Sequence, residues 1–454
     1  MDPENISVKT DQVTFKGIDR DGCYQFLGIP FAKAPVGDFA FRRPLPYEFG
    51  GGTYDAIRGK ANPVQIRGHR NIACMDEDCL YLNIFIPKEG PDGKDEFPVI
   101  VWFYGGSYNT GGSGLEDENR DDLVWEMSFF AKQTRSIVVT FNYRLNAYGF
   151  MYLHGLDPER FDSDIGLYDQ IAALRFVKEN IGAFGGDPGN IMCAGQSAGA
   201  AAILAIAGCK EAEGLFTKAF MQSPNAGHFW SPEEAAKICR RSLKFMGADP
   251  DDAKSIFSLT RDEVIDGCNR MKKLFYQKGI MTCPYSPVID GELLKKMPVE
   301  AVRDKDIKIV IGNNSEDAYM FTRAFSDPLM PFLSWLLKVK PKKDMQGTYR
   351  QRLVSAMTDE LYRDHIMDIA ANYKGHLWVY EYSFVTDEMK RDGIPAMHTV
   401  ELSPQFGITD EYCDPNAPET RRAGDAFRKI YKDLAYDTMS YPEYKESHAK
   451  IVIR

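Results

Sequence analysis

Six short stretches of this chain are built from apolar, β-branched and aromatic residues that do not alternate with polar ones. That pattern limits the available folds more than any other feature. The stretches are Pro98–Tyr104 (PVIVWFY), Ser136–Tyr143 (SIVVTFNY), Asn190–Gly195 (NIMCAG), Lys218–Ser223 (KAFMQS), Ile307–Gly312 (IKIVIG) and Leu377–Phe384 (LWVYEYSF). A strand with one face in water alternates; a strand covered on both faces does not. Helical patterns lie between them. In DIGLYDQIAALRFVKENIGAFGG, the residues Leu167, Ile171, Leu174 and Val177 recur at helical steps, and the stretch ends on glycines. Strands alternating with helices predict an α/β chain with a doubly wound, mostly parallel central sheet.

Two helical insertions interrupt that order, at roughly 231–280 and 326–373. The first opens on SPEE, a serine cap with proline next and glutamate three residues after the cap, and TRDE at Thr260–Glu263 repeats the capping signature. No linker, repeat or low-complexity tract divides the chain. Strands on both sides of the insertions read as members of one sheet, so residues 1–454 are expected to form a single domain.

Composition narrows the partners. The formal net charge is −10, with acidic and basic residues mixed throughout, so no nucleic-acid footprint is present. The densest basic stretch, KVKPKKD at Lys338–Asp344, contains a proline and reads as a solvated loop. Nine cysteines are scattered without C-x-x-C pairs or zinc-like histidine spacing. The beginning, MDPENISVKT, lacks the apolar stretch of a secretory signal. The longest apolar run, Ala198–Cys209, has twelve residues, where a bilayer needs about 18. The expectation is a reduced, cytoplasmic protein, a monomer or small homo-oligomer, with no membrane partner, metal or cofactor. Sequons at Asn5 and Asn313 would then never meet the glycosylation machinery.

The twelve-residue run follows GQSAG, Gly195–Gly199. G-x-S-x-G is the pattern of a nucleophile elbow, a sharp strand-to-helix turn that exposes a serine hydroxyl. Alone it is weak, since a chain of this length shows it by accident roughly one time in six. A serine hydroxyl also needs a base, and the base needs an acid to hold its tautomer. In doubly wound hydrolases the chain order is serine, acid, histidine. After Ser197, the strand-and-turn IKIVIGNNSED supplies Glu316, with Asp317 as runner-up; Asp290 in YSPVIDG is a third option that looks more like turn chemistry. Of the later histidines, His365 falls within a helical pattern, His376 opens a strand and His448 lies on what reads as an exposed tail. His398 stands in a loop after the last expected strand, where a base belongs. The loop VWFYGGSYNTGGSG offers backbone N–H groups for an oxyanion.

With these elements in order, the chain resembles the type-B carboxylesterases, the α/β-hydrolase family that includes the cholinesterases. FLGIPFAKAPVG (Phe26–Gly37), EDCLYLNIFIP (Glu77–Pro87), NYRLNAYGF (Asn142–Phe150), FGGDPGNI (Phe184–Ile191), GQSAGA (Gly195–Ala200) and YSPVIDG (Tyr285–Gly291) all resemble family blocks. The likeness is closest to soluble bacterial esterases. It implies an α/β-hydrolase fold whose helical insertions cap the site, with Ser197 as nucleophile, His398 as base and Glu316 as acid. It also implies oxyanion donors at Gly106, Ser107 and Ala198, and Trp230 lining the acyl pocket. The implied reaction is hydrolysis of a small-molecule carboxylic ester by water through an acyl-enzyme. Alternatives are another acyl bond (amide, thioester or carbamate) and a non-catalytic binding member of the fold. Three departures stand out. Ser107 replaces the third glycine of the loop, QSP at Gln222–Pro224 replaces Gln-Ser-Gly, and Thr399 follows the histidine. Cys79 has no clear disulfide partner at the family's spacing; Cys74 would close a very small loop.

Overall fold

In the computed structural model, which describes residues 6–66, 73–117 and 123–454, all six stretches are strands of one ten-stranded sheet. In chain order its strands are β1 (Ile18–Arg20), β2 (Cys23–Pro30), β3 (Tyr81–Pro87), β4 (Phe97–Phe103) and β5 (Ile137–Phe141). They continue with β6 (Gly186–Gln196), β7 (Lys218–Gln222), β8 (Lys308–Asn314), β9 (Leu377–Tyr382) and β10 (Lys450–Ile453). The spatial order is β10-β9-β8-β7-β6-β4-β5-β3-β2-β1. Every neighbouring pair from β10 to β5 is parallel. The β5–β3, β3–β2 and β2–β1 pairs are antiparallel. The parallel strands are buried along most of their length, which is why they read as unbroken apolar runs.

The terminal segment differs from its expectation. Beyond the exposed His448 the chain is not a tail but strand β10, which pairs with β9 at the sheet edge. Its four residues bury only Ile451 and Ile453, while Val452 is exposed, so the run is too short to announce a strand.

The helix α1 (Ile165–Asn180) and the wholly buried α2 (Ala198–Ala207) cover the middle of the sheet. The block NYRLNAYGF is tied to α1 by a buried ion pair, Arg144 to Asp169 at 2.7 Å. The first insertion carries α3 (Pro232–Met246) and α4 (Arg261–Gln277). Both caps form as their sequences indicate: Ser231 Oγ accepts from the Glu234 N–H, and Thr260 and Glu263 make a reciprocal capping box. The second insertion carries α5 (Met330–Leu337), α6 (Tyr349–Thr358) and α7 (Asp364–Asn372), with a π turn at Asp359–Arg363 between the last two. The last long helix is α8 (Pro418–Ala435). No helix among the described residues is long and apolar enough to cross a membrane.

After β4 the chain turns to β5 on one side, then returns to β6 on the other. The crevice beyond the carboxyl ends of β4 and β6 is therefore the topological switch point, where open α/β sheets bind ligands.

Candidate active site

Strand β6 ends at Gln196 and α2 begins at Ala198, leaving Ser197 alone at the turn. Its dihedrals, φ 57° and ψ −123°, are ones a side-chain-bearing residue adopts only under constraint. Part of the constraint is a bond from the Ser197 N–H to the Gln222 carbonyl at the end of β7, 2.8 Å. The flanking glycines answer mainly to the neighbouring strand. A β-carbon on Gly199 would lie 2.1 Å from the Phe103 carbonyl oxygen, and one on Gly195 would lie 2.8 Å from it. The elbow is pressed against the end of β4.

The loop leaving β4 lies on the nucleophile. A β-carbon on Gly105 would come within 3.2 Å of Ser197 Cβ. The chain then takes three left-handed residues, Gly106 (φ 109°), Ser107 (φ 56°) and Tyr108 (φ 57°). The N–H groups of Asn109 and Thr110 donate to the Gly106 carbonyl at 3.0 and 3.1 Å, which turns that oxygen into the loop. The N–H groups of Gly106 and Ser107 have no protein acceptor among the described residues, and Ala198 N–H belongs to a first helical turn without intrahelical acceptors. Ser107 is exposed. Its carbonyl is held by Asn109 Nδ2 at 2.7 Å, and the same amide donates to Cys283 Sγ in the segment that leaves the first insertion. Trp230 Nε1 donates to the Cys283 carbonyl at 3.0 Å. The insertion and the glycine loop are thus laced together through Cys283.

His398 is the histidine brought to this site. It is 5% exposed, and its ring stacks on Tyr362 from the π turn, with centroids 5.3 Å apart. Its carboxylate partner is Asp317: Nδ1 lies 2.7 Å from Oδ1. Asp317 is fully buried, and its second oxygen accepts from Ser223 Oγ at 2.9 Å and the Asn314 N–H at 2.8 Å. Glu316, the residue expected in this position, is not paired with the histidine. It is half-buried, and its carboxylate accepts from the hydroxyl of Ser315. The turn after β8 aims neighbouring side chains in different directions, and the shorter residue points inward.

Nε2 of His398 lies 3.1 Å from Gln196 Nε2, and no hydrogen bond joins it to Ser197 among the described residues. In the neutral tautomer that donates Nδ1–H to Asp317, Nε2 is an acceptor, and the Gln196 amide occupies it. Catalytic hydrogen bonds commonly tighten only when substrate is bound.

Sequence reasoning missed a second carboxylate behind the first. Glu401, fully buried, accepts from Asn314 Nδ2 at 2.5 Å and Gln222 Nε2 at 3.2 Å. Tyr431 of α8 in turn donates to Gln222 Oε1 at 2.6 Å. Burial pushes the Glu401 carboxyl up to about 7, the nearby Asp317 adds to the rise, and the Asn314 hydrogen bond opposes it. Its place three residues after His398 in HTVEL was the available signal. Ser223 sits in the QSP departure and is left-handed (φ 47°). The other candidates lie elsewhere. Asp290 accepts from the Glu292 N–H, as a turn residue does, and His365 sits on α7. Trp230 is half-buried, edge-on to Phe275 with centroids 5.9 Å apart. No disulfide joins the described cysteines, Cys79 included.

A doubly wound sheet, a strained serine at the switch point, a histidine–carboxylate pair and a glycine loop packed against the serine define an α/β-hydrolase. Comparison with known proteins agrees. The model of the carboxylesterase family matches residues 4–331. The chain is 30% identical over 419 residues to the para-nitrobenzyl esterase of Bacillus subtilis (strain 168), covering 89% of this chain and 83% of that one. It is 33% identical over 421 residues to the phenmedipham hydrolase of Pseudarthrobacter oxydans, covering 87% and 81%. A solved Geobacillus stearothermophilus carboxylesterase superimposes with a TM-score of 0.82 at 28% identity, covering 99% and 96%. The chain belongs to the carboxylesterase family. It is a serine carboxylic ester hydrolase.

Proposed function

We propose that Ser197, His398 and Asp317 form the catalytic triad, with Asp317 in place of the expected Glu316. Substrate displaces the Gln196 amide from Nε2, which then takes the proton of Ser197 Oγ as the oxygen attacks the ester carbonyl. Asp317 holds the Nδ1–H tautomer and stabilises the imidazolium that forms. The N–H groups of Gly106, Ser107 and Ala198 receive the charge that develops on the carbonyl oxygen. His398 returns its proton to the leaving alcohol, and water enters by the same route to release the acid. The 2.7 Å contact between His398 and Asp317 is the observation that carries this assignment.

Trp230 stands on the acyl side of the site in this reading, because Cys283 and Asn109 connect it to Ser107. The substrates are small-molecule carboxylic esters, and buried thiols such as Cys79 and Cys193 suit a reducing cytoplasm. A fluorophosphonate should add one covalent group, which peptide mass spectrometry would place on Ser197. Ser197→Ala should take no label and lose ester turnover while keeping its melting temperature. Label retained on that variant would move the nucleophile elsewhere.

A further inference from the structure

Among the described residues, the three most exposed large apolar side chains are Trp335 at 73%, Tyr276 at 61% and Phe332 at 55%. They lie together. Tyr276 is near the end of α4, and a β-carbon on Gly279 would lie 2.3 Å from the Leu336 carbonyl oxygen, so that end of α4 abuts α5. Phe332 and Trp335 are one turn apart on α5, with ring centroids 5.8 Å apart, and Leu329 extends the stripe. The opposite face of α5 is buried through Met330, Leu333 and Ser334. The helix is seated by one side and bare on the other.

Lysines rim the bare side. Lys273 and Lys278 are exposed on and after α4, and Lys338, Lys340 and Lys343 are exposed after α5. Asp327, at the start of the stripe, is paired with Arg350, and Asp344 is the exposed acid beside Lys343. A local excess of lysine stands out in a chain of net charge −10.

We propose that this face docks the enzyme on an anionic lipid surface. Tryptophan, tyrosine and phenylalanine beside lysines match the headgroup layer, where rings sit at the boundary and ammonium groups meet lipid phosphate. A second copy of the chain fits less well, because a two-fold contact would set one lysine rim against the other. The remaining surface, net acidic, is repelled by the same lipids, so docking fixes an orientation. The α5 part of the face belongs to the insertion whose π turn packs Tyr362 on His398, and so turns that side of the enzyme toward esters dissolved in the lipid.

The test is co-sedimentation with phosphatidylcholine vesicles, with and without about a third phosphatidylglycerol, at low and high salt. Binding should require phosphatidylglycerol and weaken in salt. It should fall by about tenfold or more in Phe332→Ser/Trp335→Ser and in Lys338→Glu/Lys340→Glu/Lys343→Glu. Unchanged hydrolysis of a short soluble ester shows that both variants are folded. Wild-type protein left in the supernatant with the vesicles that contain phosphatidylglycerol overturns the proposal. So does binding that ignores lipid charge, or concentration-dependent self-association in sedimentation velocity that Trp335→Ser abolishes.

Discussion

The two sides of Ser197 are built from different material. On the side proposed to receive the oxyanion, the groups are backbone N–H groups of a partly exposed loop with three successive left-handed residues. On the histidine side the groups are side chains, nearly all buried: His398, Asp317, Asn314, Ser223, Gln222 and Glu401. A backbone site depends on conformation, so a substitution there acts by shifting a loop. A buried side-chain network depends on each donor having its acceptor, so removing one member leaves another unpaired in low dielectric. Damage should accordingly be steep on the histidine side and graded on the other.

The largest effect should come from the acid. Asp317→Asn keeps the shape but removes the charge that favours the imidazolium, and should lower kcat by about 10⁴. Glu316→Gln, one residue away, changes a half-buried group bonded to Ser315 and should stay within about threefold of wild type. Steady-state kinetics on a p-nitrophenyl ester checks both. Should Glu316→Gln be the crippled variant, the pairing described here is not the one used in turnover.

This pair also marks how far the sequence could be read. The parallel strands were legible because burial on both faces removes alternation, and the elbow because Gly195 and Gly199 leave the β-carbon space that the end of β4 needs. The order serine, acid, histidine located the turn after β8 and the loop carrying His398. Which of two adjacent carboxylates faces inward depends on a single residue of turn register. The resemblance implied Glu316, whereas the carboxylate paired with His398 is that of Asp317. Glu401 was obscured for a different reason: its partners Asn314 and Gln222 come from two other strands, and only the sheet brings them together. Trp230 was singled out through resemblance alone, and its link to the glycine loop runs through Cys283, a residue that carried no motif.

On the oxyanion side, Asn109 is the side chain that steadies the loop. Asn109→Ala releases the Ser107 carbonyl and the tie to Cys283, and should lower kcat by up to about 10², the low end of losing one oxyanion donor. KM for the same ester should change little, because the hole matters most in the transition state. A boronic acid inhibitor should weaken in parallel with kcat. A rise in KM with kcat preserved would make Asn109 a binding residue instead. Ser107→Gly acts in the opposite direction. A left-handed residue other than glycine costs about 1–2 kcal/mol, so the glycine relieves strain and removes a β-carbon from the acyl side. Acetate ester turnover should stay within about threefold, while branched acyl esters should gain. Acetate turnover raised tenfold or more would mean that the serine had been distorting the hole.

The smallest effect on turnover should come from Glu401, and its signature is in pH. In the folded chain its carboxyl sits at about 7 against an ordinary value of 4.5, so the folded state holds a proton that the unfolded state has released over that interval. Stability attributable to this group is therefore fully present below about pH 4.5 and is lost as pH rises through about 7. Glu401→Gln has no proton to lose. Subtracting its denaturation free energies from those of wild type should leave a difference that falls with pH across that window and is flat outside it. The drop is on the order of 3 kcal/mol at most, since each pH unit spanned by the window corresponds to about 1.4 kcal/mol. Turnover at neutral pH should stay within about fivefold, because the amide fills the same volume beside Asn314. A difference curve without slope would show that Glu401 ionises in its ordinary range. The buried network would then contain two charged carboxylates at neutral pH, and its fragility relative to the backbone side would rest on their mutual repulsion as well as on unpaired donors.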